Sequence, residues 1–523
     1  MTWLLAVILL PLLGGVVTTA FRHDDRLATR VAFGFALATL LLVIPLWIVY
    51  DPDGARLQQV TSMDWIPAFG VHIAFGVDGI ALLMIAAIAV LVPIVVAALP
   101  FTDRLPRERS AGGFLALILV QQALTIAVFA TTDVFVFYVL FEVMLIPMYF
   151  LIGGYGGAKR QYAAVKFFLY SFLGGLLMLG SAIGAYAVAA DTATGGSFDW
   201  ATLVRTVQDA PTETQIWLFL GFFLAFAIKA PLIPFHTWLP DAAGEAPIGV
   251  TVLIVGVLDK VGTFGLLRYC LPMFPDASRV LAPMVLVLGV IGIVYGAILA
   301  AGQTDMKRFI AYVSIAHFGF MALGIFAFDT QATVGAATYM LNHSLATGLL
   351  ILVIGMIVAR GGSSRIADYG GMQKVTPVLG GMLLVAVMST LSLPGTNSFV
   401  SEFLVLLGSY QQVVVYAVIG TIGIVLAALY VLWFYQRVMT GPVRGDAMLA
   451  AGTGPGTATA PEAAARRSIT DVSGREVAVL APLVVLIIGL GFYPKPMLDT
   501  VTPSVEATIS AVDVNSPAQE ATQ

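Results

Sequence analysis

The sequence predicts an all-α polytopic membrane protein with about fourteen transmembrane helices. Of its 523 residues, 59% are hydrophobic and only 11% are charged, which is more apolar surface than a soluble core of this length can hide. Apolar runs of about 20 residues, the length of a membrane-crossing helix, recur along the whole chain. The expected spans cover residues 2–20, 31–50, 78–99, 112–130, 132–152, 164–190, 213–232, 247–272, 280–301, 309–328, 331–359, 377–394 with a continuation to 408, 411–436 and 477–494.

The segments outside the spans differ in composition. The first span lacks a basic segment and a convincing cleavage site, so we interpret it as a retained helix and not a signal peptide. Residues 51–77 form a longer external connection, in which we expect a short interfacial helix. Residues 441–476 are rich in Ala, Gly, Thr and Pro and are predicted to form a mobile cytoplasmic linker. The polar tail after Thr500 should be ordered only in part.

The distribution of Lys and Arg predicts the orientation. Of the 26 basic residues, nineteen follow odd-numbered spans, five lie on the other side and two lie inside spans. Because basic loops stay on the cytoplasmic side, the odd-numbered loops are expected in the cytoplasm and both termini on the outer face.

Six ionisable side chains lie inside apolar spans, where a charge at the bilayer centre costs about 3 kcal/mol or more. They are Glu142, Lys229, Lys260, His317, His343 and Glu402. A carboxylate, a desolvated lysine and an imidazole can each bind and release a proton. We therefore interpret the six as a proton relay, in which Glu142 pairs with Lys229 and Glu402 ends the path.

Five of these residues also have a structural alternative. Glu142 and Lys229 could form a static buried ion pair, Lys260 could extend its charge to the membrane interface, and the histidines could be hydrogen-bonded core residues. Asp259 lies about 100° around the helix from Lys260, so their side chains are expected to diverge. His236 is a candidate gate.

The remaining charged or polar groups near span ends are expected to have structural roles. Asp78, Asp133, Asp241 and Glu245 should cap helices or pair with loop cations, and Arg268 and Tyr269 are expected to be interfacial anchors. The single cysteine, Cys270, excludes an intrachain disulfide and a Cys-ligated iron–sulfur cluster. We find no nucleotide-binding glycine motif and no pair of ligands with metal-binding helical spacing.

Two spans should be broken. Pro231 and Pro234 remove backbone donors directly after Lys229, and Pro394 with Gly395 interrupts the twelfth span before Glu402. Broken helices in corresponding halves of a transporter suggest an inverted repeat, here spans 4–8 and 9–13. The expected units are residues 1–111 (spans 1–3), 112–272 and 273–440 (the two repeats), 441–476 (the linker) and 477–523 (the last span and tail).

Five stretches resemble a known family. They read "DVFVFYVLFEVMLIPMYFLIG", "KAPLIPFHTWLPDA", "GLLRY", "DMKRFIAYVSIAHFGF" and "LPGTNSFVSEFLVLLGSY". Together they resemble the antiporter-like, proton-translocating subunits of respiratory complex I, and are most similar to the M type of the bacterial NADH–quinone oxidoreductase. The resemblance covers nearly everything from span 3 to span 13. The glutamate at position 402 favours the M type, because the related L and N types usually carry lysine there.

The resemblance implies a fold of fourteen helices that contains two inverted five-helix units. It also implies a role for each ionisable residue inside a span. Glu142 and Lys229 would be the regulating ion pair and Lys260 the central lysine, while His317 and His343 would be linking histidines and Glu402 the terminal residue near the exit. The resemblance further implies proton translocation that is coupled to redox chemistry in other subunits. Those subunits would hold FMN, iron–sulfur clusters and quinone, and this chain would bind no cofactor or metal. The expected partners are other complex I membrane subunits, especially antiporter-like neighbours, and lipids of the bacterial inner membrane, with no nucleic acid.

Two departures from the family and three alternative functions stay open. Ala243 replaces a histidine that family members often have, and Asp259 before the central lysine is unusual. The alternatives are a subunit of a multi-subunit Na⁺/H⁺ antiporter, a membrane-bound hydrogenase subunit, and a scaffold whose charges only pair with neighbouring chains.

Overall fold

The computed structural model describes residues 3–103, 105–106, 108–192, 195–448 and 469–512. We number the long spans in chain order and mark the halves of a broken span a and b. The helices are α1 Trp3–Ala20, α2 Asp25–Val49, α3 Gly79–Thr102, α4 Ala111–Ala130, α5 Val134–Tyr155, α6 Arg160–Ala190, α7a Thr212–Lys229, α7b Trp238–Glu245, α8 Ile248–Met273, α9 Pro275–Ala301, α10 Met306–Phe326, α11 Thr330–Gly361, α12a Pro377–Thr390, α12b Asn397–Gln412, α13 Val414–Met439, α14 Gly474–Phe492 and α15 Lys495–Ile509.

The spans confirm the predicted all-α polytopic fold. In the described part of the chain, thirteen helices are long and apolar enough to cross a membrane, and the twelfth expected span is the pair α12a and α12b. Each expected apolar run coincides with one helix or one broken pair, because a backbone in hydrocarbon must satisfy its hydrogen bonds internally.

Acidic residues near the span ends have the structural roles expected of them. Asp78 accepts a hydrogen bond from the Ala81 backbone N–H, and Asp133 accepts one from Val136, both at 2.9 Å. Asp241 pairs with Lys166 at 2.7 Å and with Arg308 at 3.0 Å, and Glu245 accepts from the Lys159 backbone N–H at 2.8 Å. These bonds satisfy helix ends and cross-link loops.

The protein core is formed by spans α3, α8, α10 and α11. Span α8 is buried along its whole apolar length, and α10 and α11 are nearly so. By contrast, α2, α13 and α14 present exposed apolar side chains such as Ile48, Val425 and Phe492, as expected for surfaces that face lipid or other subunits. Three of the six predicted relay residues, Lys260, His317 and His343, lie on these central spans.

Both predicted helix breaks are present. Helix α7a ends at Lys229, and after Pro231 and Pro234 the chain makes a 3₁₀ turn at Phe235–Thr237 before α7b begins. The second break lies between α12a and α12b, where Gly395 has a φ of 93°, a conformation that glycine adopts without steric cost.

The connection formed by residues 51–77 contains a β-hairpin, so the expected interfacial helix is wrong. Strand β1 (Gln58–Ile66) pairs antiparallel with β2 (Val71–Val77), and Met63 lies opposite Ile73. Gly70 has a φ of 59° in the turn between them. Two runs with strand-forming residues, separated by a Pro and Gly turn, are the pattern of a hairpin.

The segment after the last span is helical from Lys495 to Ile509, so residues 501–509 of the tail, which was expected to be ordered only in part after Thr500, belong to a helix. Helix α15 packs against α3 and α11, and buries Met497, Val501 and Val505. Its four-residue apolar spacing places these side chains on one face, although the average composition is polar. Residues 449–468 of the predicted linker and residues 513–523 of the tail lie outside the described residues.

Candidate functional site

Lys260 is fully buried on α8 and makes three polar contacts. Its Nζ donates to the Val255 carbonyl at 2.5 Å, lies 3.1 Å from Asp259 Oδ1, and lies 2.7 Å from His343 Nδ1. It also lies 4.6 Å from the centre of the Phe318 ring. The three contacts match the three N–H donors of an ammonium group, so this lysine is held with one donor directed at an imidazole.

The contact between Asp259 and Lys260 contradicts the expected divergence of their side chains. Residues Ile254–Leu258, directly before this pair, form a π-helical segment, and a second π-helical segment covers Leu266–Cys270. The Asp259 backbone N–H bonds to the Ile254 carbonyl five residues earlier at 3.1 Å. The wider turn changes the angle between the Asp259 and Lys260 side chains from the 100° per residue of a regular α-helix. Such π-helical turns are frequent at functional sites.

The two predicted linking histidines meet between α10 and α11. The ring centroids of His317 and His343 lie 5.1 Å apart, with the planes 87° to each other. Neither nitrogen of His317 has a protein hydrogen-bond partner, nor does Nε2 of His343. Buried polar atoms of this kind are normally satisfied by protein or ordered water, so these nitrogens are positioned for water-mediated contact.

Tyr339 connects the histidines to Glu402 and was missed by the sequence analysis. Its hydroxyl donates to Glu402 Oε1 at 2.7 Å, and its ring centroid lies 5.7 Å from that of His317 and 6.2 Å from that of His343. Tyr339 precedes His343 by four residues on α11, so the helical i, i+4 spacing was a signal that could have found it.

A polar network holds the second helix break against α11. Asn342 donates to Ser401 Oγ at 2.8 Å, and Asn397 donates to the Asn342 carbonyl and to its side-chain oxygen, both at 3.1 Å. Ser389 on α12a donates to Asn397 at 2.8 Å, and Thr338 shares a 3.0 Å bond with Ser401. All five side chains are buried. The network fixes the first turn of α12b, and thereby the position of Glu402.

Lys229 and Glu142 are near one another but do not touch. The Lys229 Nζ lies 5.1 Å from the Phe141 ring centroid and 5.3 Å from that of Phe167, and has no hydrogen-bond partner. The Glu142 Oε1 also lacks a partner, and the carboxylate lies against Gly175 of α6. Their charges act on each other without a direct ion pair.

His236 and the end of α8 that carries Arg268 lie apart from this chain of contacts. The His236 ring packs on Tyr295 at 5.3 Å, and no hydrogen bond joins it to Lys229 or to the linking histidines. Arg268 and Tyr269 are buried, not interfacial, because Arg268 pairs with Asp78 at 2.9 Å beneath the short helix Trp200–Val207. Among the described residues, no group of three His, Cys, Asp or Glu side chains is placed to hold a metal ion.

Comparison with known proteins gives consistent matches. Residues 131–429 match the family model described as "NADH:quinone oxidoreductase/Mrp antiporter, TM". The sequence is 44% identical over 548 residues to NADH-quinone oxidoreductase subunit M of Mycobacterium tuberculosis, which covers 99% of this chain and 95% of that protein.

Solved structures show the same fold. A chain of respiratory complex I from Thermus thermophilus, determined with bound NADH, superimposes with a TM-score of 0.84 at 28% identity, covering 98% of this chain and 100% of that one. A chain of the Mrp complex from Dietzia superimposes with a TM-score of 0.82, covering 99% of each chain. At 21% identity, the Mrp likeness concerns the fold alone.

Proposed function

We propose that this chain, which belongs to the NADH:quinone oxidoreductase/Mrp antiporter transmembrane family, is the proton-translocating membrane subunit of an NADH-quinone oxidoreductase. Its multi-pass membrane fold and its likeness to subunit M over nearly the whole length support this assignment. We place the redox centres of that complex in its other subunits.

One observation carries the proposed mechanism: the buried contacts continue from Lys260 to Glu402. Lys260 reaches His343 at 2.7 Å, the His317 and His343 rings pack edge to face with centroids 5.1 Å apart, and Tyr339 reaches Glu402 at 2.7 Å. Hydrogen-bonded or water-bridged groups that both accept and donate protons form a path along which a proton can move.

The order of events starts at Glu142 and Lys229. Redox chemistry in other subunits changes the electrostatics around this pair, and loss of the counter-charge favours release of the Lys229 proton. The proton passes to Lys260, whose Nζ faces the Nδ1 acceptor of His343. His317 and Tyr339 continue the path, and Glu402 hands the proton to the outer half of the membrane.

The partner subunits supply what this chain lacks. Iron–sulfur clusters would be bound there, because Cys270 is the single cysteine of this chain. We place FMN and quinone in the partner subunits as well, on the likeness to subunit M. The direct partners would be other membrane subunits, especially antiporter-like ones, and lipids. The positive-inside pattern supports a bacterial inner membrane location with both termini outside, and the inverted repeat of spans 4–8 and 9–13 is part of the same proposal.

Co-purification distinguishes the two leading functions. We expect the native assembly, extracted in mild detergent, to carry FMN and iron–sulfur absorbance. Isolation with small hydrophobic partners alone would instead favour a Na⁺/H⁺ antiporter subunit, the alternative that the family's description also includes.

Replacement of the first relay residues tests the mechanism. Lys229→Ala and Glu142→Ala should each reduce NADH-driven proton uptake into inverted membrane vesicles by about tenfold or more, the loss typical of removing a proton-transfer group. Full proton uptake by an assembled complex with either substitution would refute the assigned roles.

A further inference from the structure

Asp259 interacts with both buried lysines of the first half of the path. Its side chain is fully buried, its Oδ1 lies 3.1 Å from Lys260 Nζ, and its charge also acts on Lys229. The carboxylate therefore belongs to the electrostatic environment of both groups between which the proposed mechanism moves a proton.

The two oxygens of Asp259 differ in their bonding. Oδ1 accepts from Lys260, whose other two donors are used by Val255 and His343. Oδ2 is buried and has no hydrogen-bond partner in the protein. Burying a carboxylate oxygen without a hydrogen bond lowers the stability of the fold, so packing alone does not account for it. This oxygen offers a hydrogen-bond acceptor on the side of the carboxylate that Lys260 does not occupy.

Close helix packing brings the Asp259 face of α8 to the broken end of α7a. Gly262 follows Asp259 by three residues and so lies on nearly the same helix face. A Cβ at Gly262 would lie only 2.5 Å from both the Ala230 backbone nitrogen and the Phe226 carbonyl oxygen. Ala230 directly follows Lys229, so the absence of a side chain at Gly262 lets this face of α8 approach the end of the helix that carries Lys229.

Without Asp259, the contacts leave a gap in the path. The Lys229 Nζ has no hydrogen-bond partner, and two ammonium groups repel each other and cannot exchange a proton directly. A carboxylate can accept a proton at one oxygen and, after rotation of the carboxyl group, donate the same proton to a second acceptor, which is the function that this gap requires.

We propose that Asp259 is a proton carrier between Lys229 and Lys260, an inference that rests on the proposed function. The Lys229 ammonium gives its proton to Asp259 Oδ2, directly or through one water, and becomes neutral. The neutral carboxylic acid no longer balances the charge of Lys260, which passes a proton to His343 Nδ1. The carboxyl group then rotates about its Cβ–Cγ bond, so that the protonated oxygen faces the neutral Lys260, and returns its proton to that amine. One proton has moved from Lys229 to His343, and Asp259 and Lys260 are again ionised.

The test compares variants of the intact complex in inverted membrane vesicles. Asp259→Asn keeps the shape and an oxygen that can face Lys260, but cannot carry a proton. Asp259→Glu keeps the carboxyl group. The matched control is Thr251→Val, because Thr251 is buried on the same span and bonds only to the Ala243 and Pro247 carbonyls. The readout is proton uptake per NADH oxidised, normalised to assembled complex on native gels.

We expect Asp259→Asn to reduce proton uptake by about tenfold or more, Asp259→Glu to retain most of it, and Thr251→Val to match the wild type. Wild-type uptake by Asp259→Asn, with uptake lost in Lys260→Met, would overturn the carrier role and leave the proposed function intact. Equal losses in the Asn and Glu variants would also count against it. Wild-type uptake by Lys260→Met would contradict the proposed function itself.

Discussion

The hydroxyl of Tyr339 on α11 donates to Oε1 of Glu402 on α12b at 2.7 Å, although 63 residues separate the two in sequence. Both side chains are buried. A tyrosine hydroxyl is both donor and acceptor, so this bond places a proton-exchanging group on the carboxylate, on a ring that lies 5.7 Å from His317 and 6.2 Å from His343. In the proposed mechanism it is the contact through which a proton reaches the last group of the path.

Tyr339→Phe removes this contact and keeps the ring. We expect NADH-driven proton uptake to fall by about tenfold or more because the donor to Glu402 is lost. Tyr155→Phe is the control, since the Tyr155 hydroxyl makes only a long 3.3 Å bond to the Ser110 carbonyl, and it should leave uptake unchanged. Equal uptake by both variants would remove Tyr339 from the path.

Gly175→Ala should disturb Glu142 without changing any charge. A Cβ at Gly175 would collide with the Glu142 carboxylate, so the glutamate must move. We expect lower proton uptake with a normal amount of assembled complex. Gly180→Ala on the same helix is the matched control, because a Cβ there meets no atom within 4 Å. If the two alanine variants pump equally well, the position of Glu142 has no influence on transport.

The buried pair of Arg268 and Asp78 should stabilise the fold and take no part in transport. Asp78→Asn leaves the guanidinium without its counter-charge, which should lower the free energy of unfolding by about 3 to 5 kcal/mol. Thermal unfolding of the purified assembly measures this loss. The double variant Asp78→Asn, Arg268→Met should recover part of it, and proton uptake per assembled complex should stay normal in both. A loss of uptake greater than the loss of complex would place the pair in the transport path.

Local signals in the sequence were sufficient to predict the membrane spans, the helix caps and the two helix breaks. The length of an apolar run sets a span, and Pro231 and Pro394 act on the backbone beside them. Asp133 at the start of α5 was expected as a cap for the same reason, because its partner lies three residues away. The six ionisable residues were found because charge inside an apolar run is costly wherever the neighbours lie.

Features that depend on tertiary packing or on an irregular helical turn could not be predicted from local sequence signals. The Asp259–Lys260 contact needs a π-helical segment, and the sequence analysis assumed 100° per residue. The role of Tyr339 depends on α12b lying against α11, which is a long-range contact. Arg268 appeared to be an interfacial anchor from its place in a span, and only its distance to Asp78 identifies it as half of a buried pair.

The most direct measurement of the central claim is the number of protons taken up per NADH oxidised by inverted vesicles that contain the intact complex with Glu402→Gln. Glutamine keeps an oxygen for Tyr339 but cannot bind and release a proton. We predict normal assembly and a reduced ratio of protons to NADH, because the final acceptor is lost. A ratio equal to that of the wild type would show that protons do not leave through Glu402.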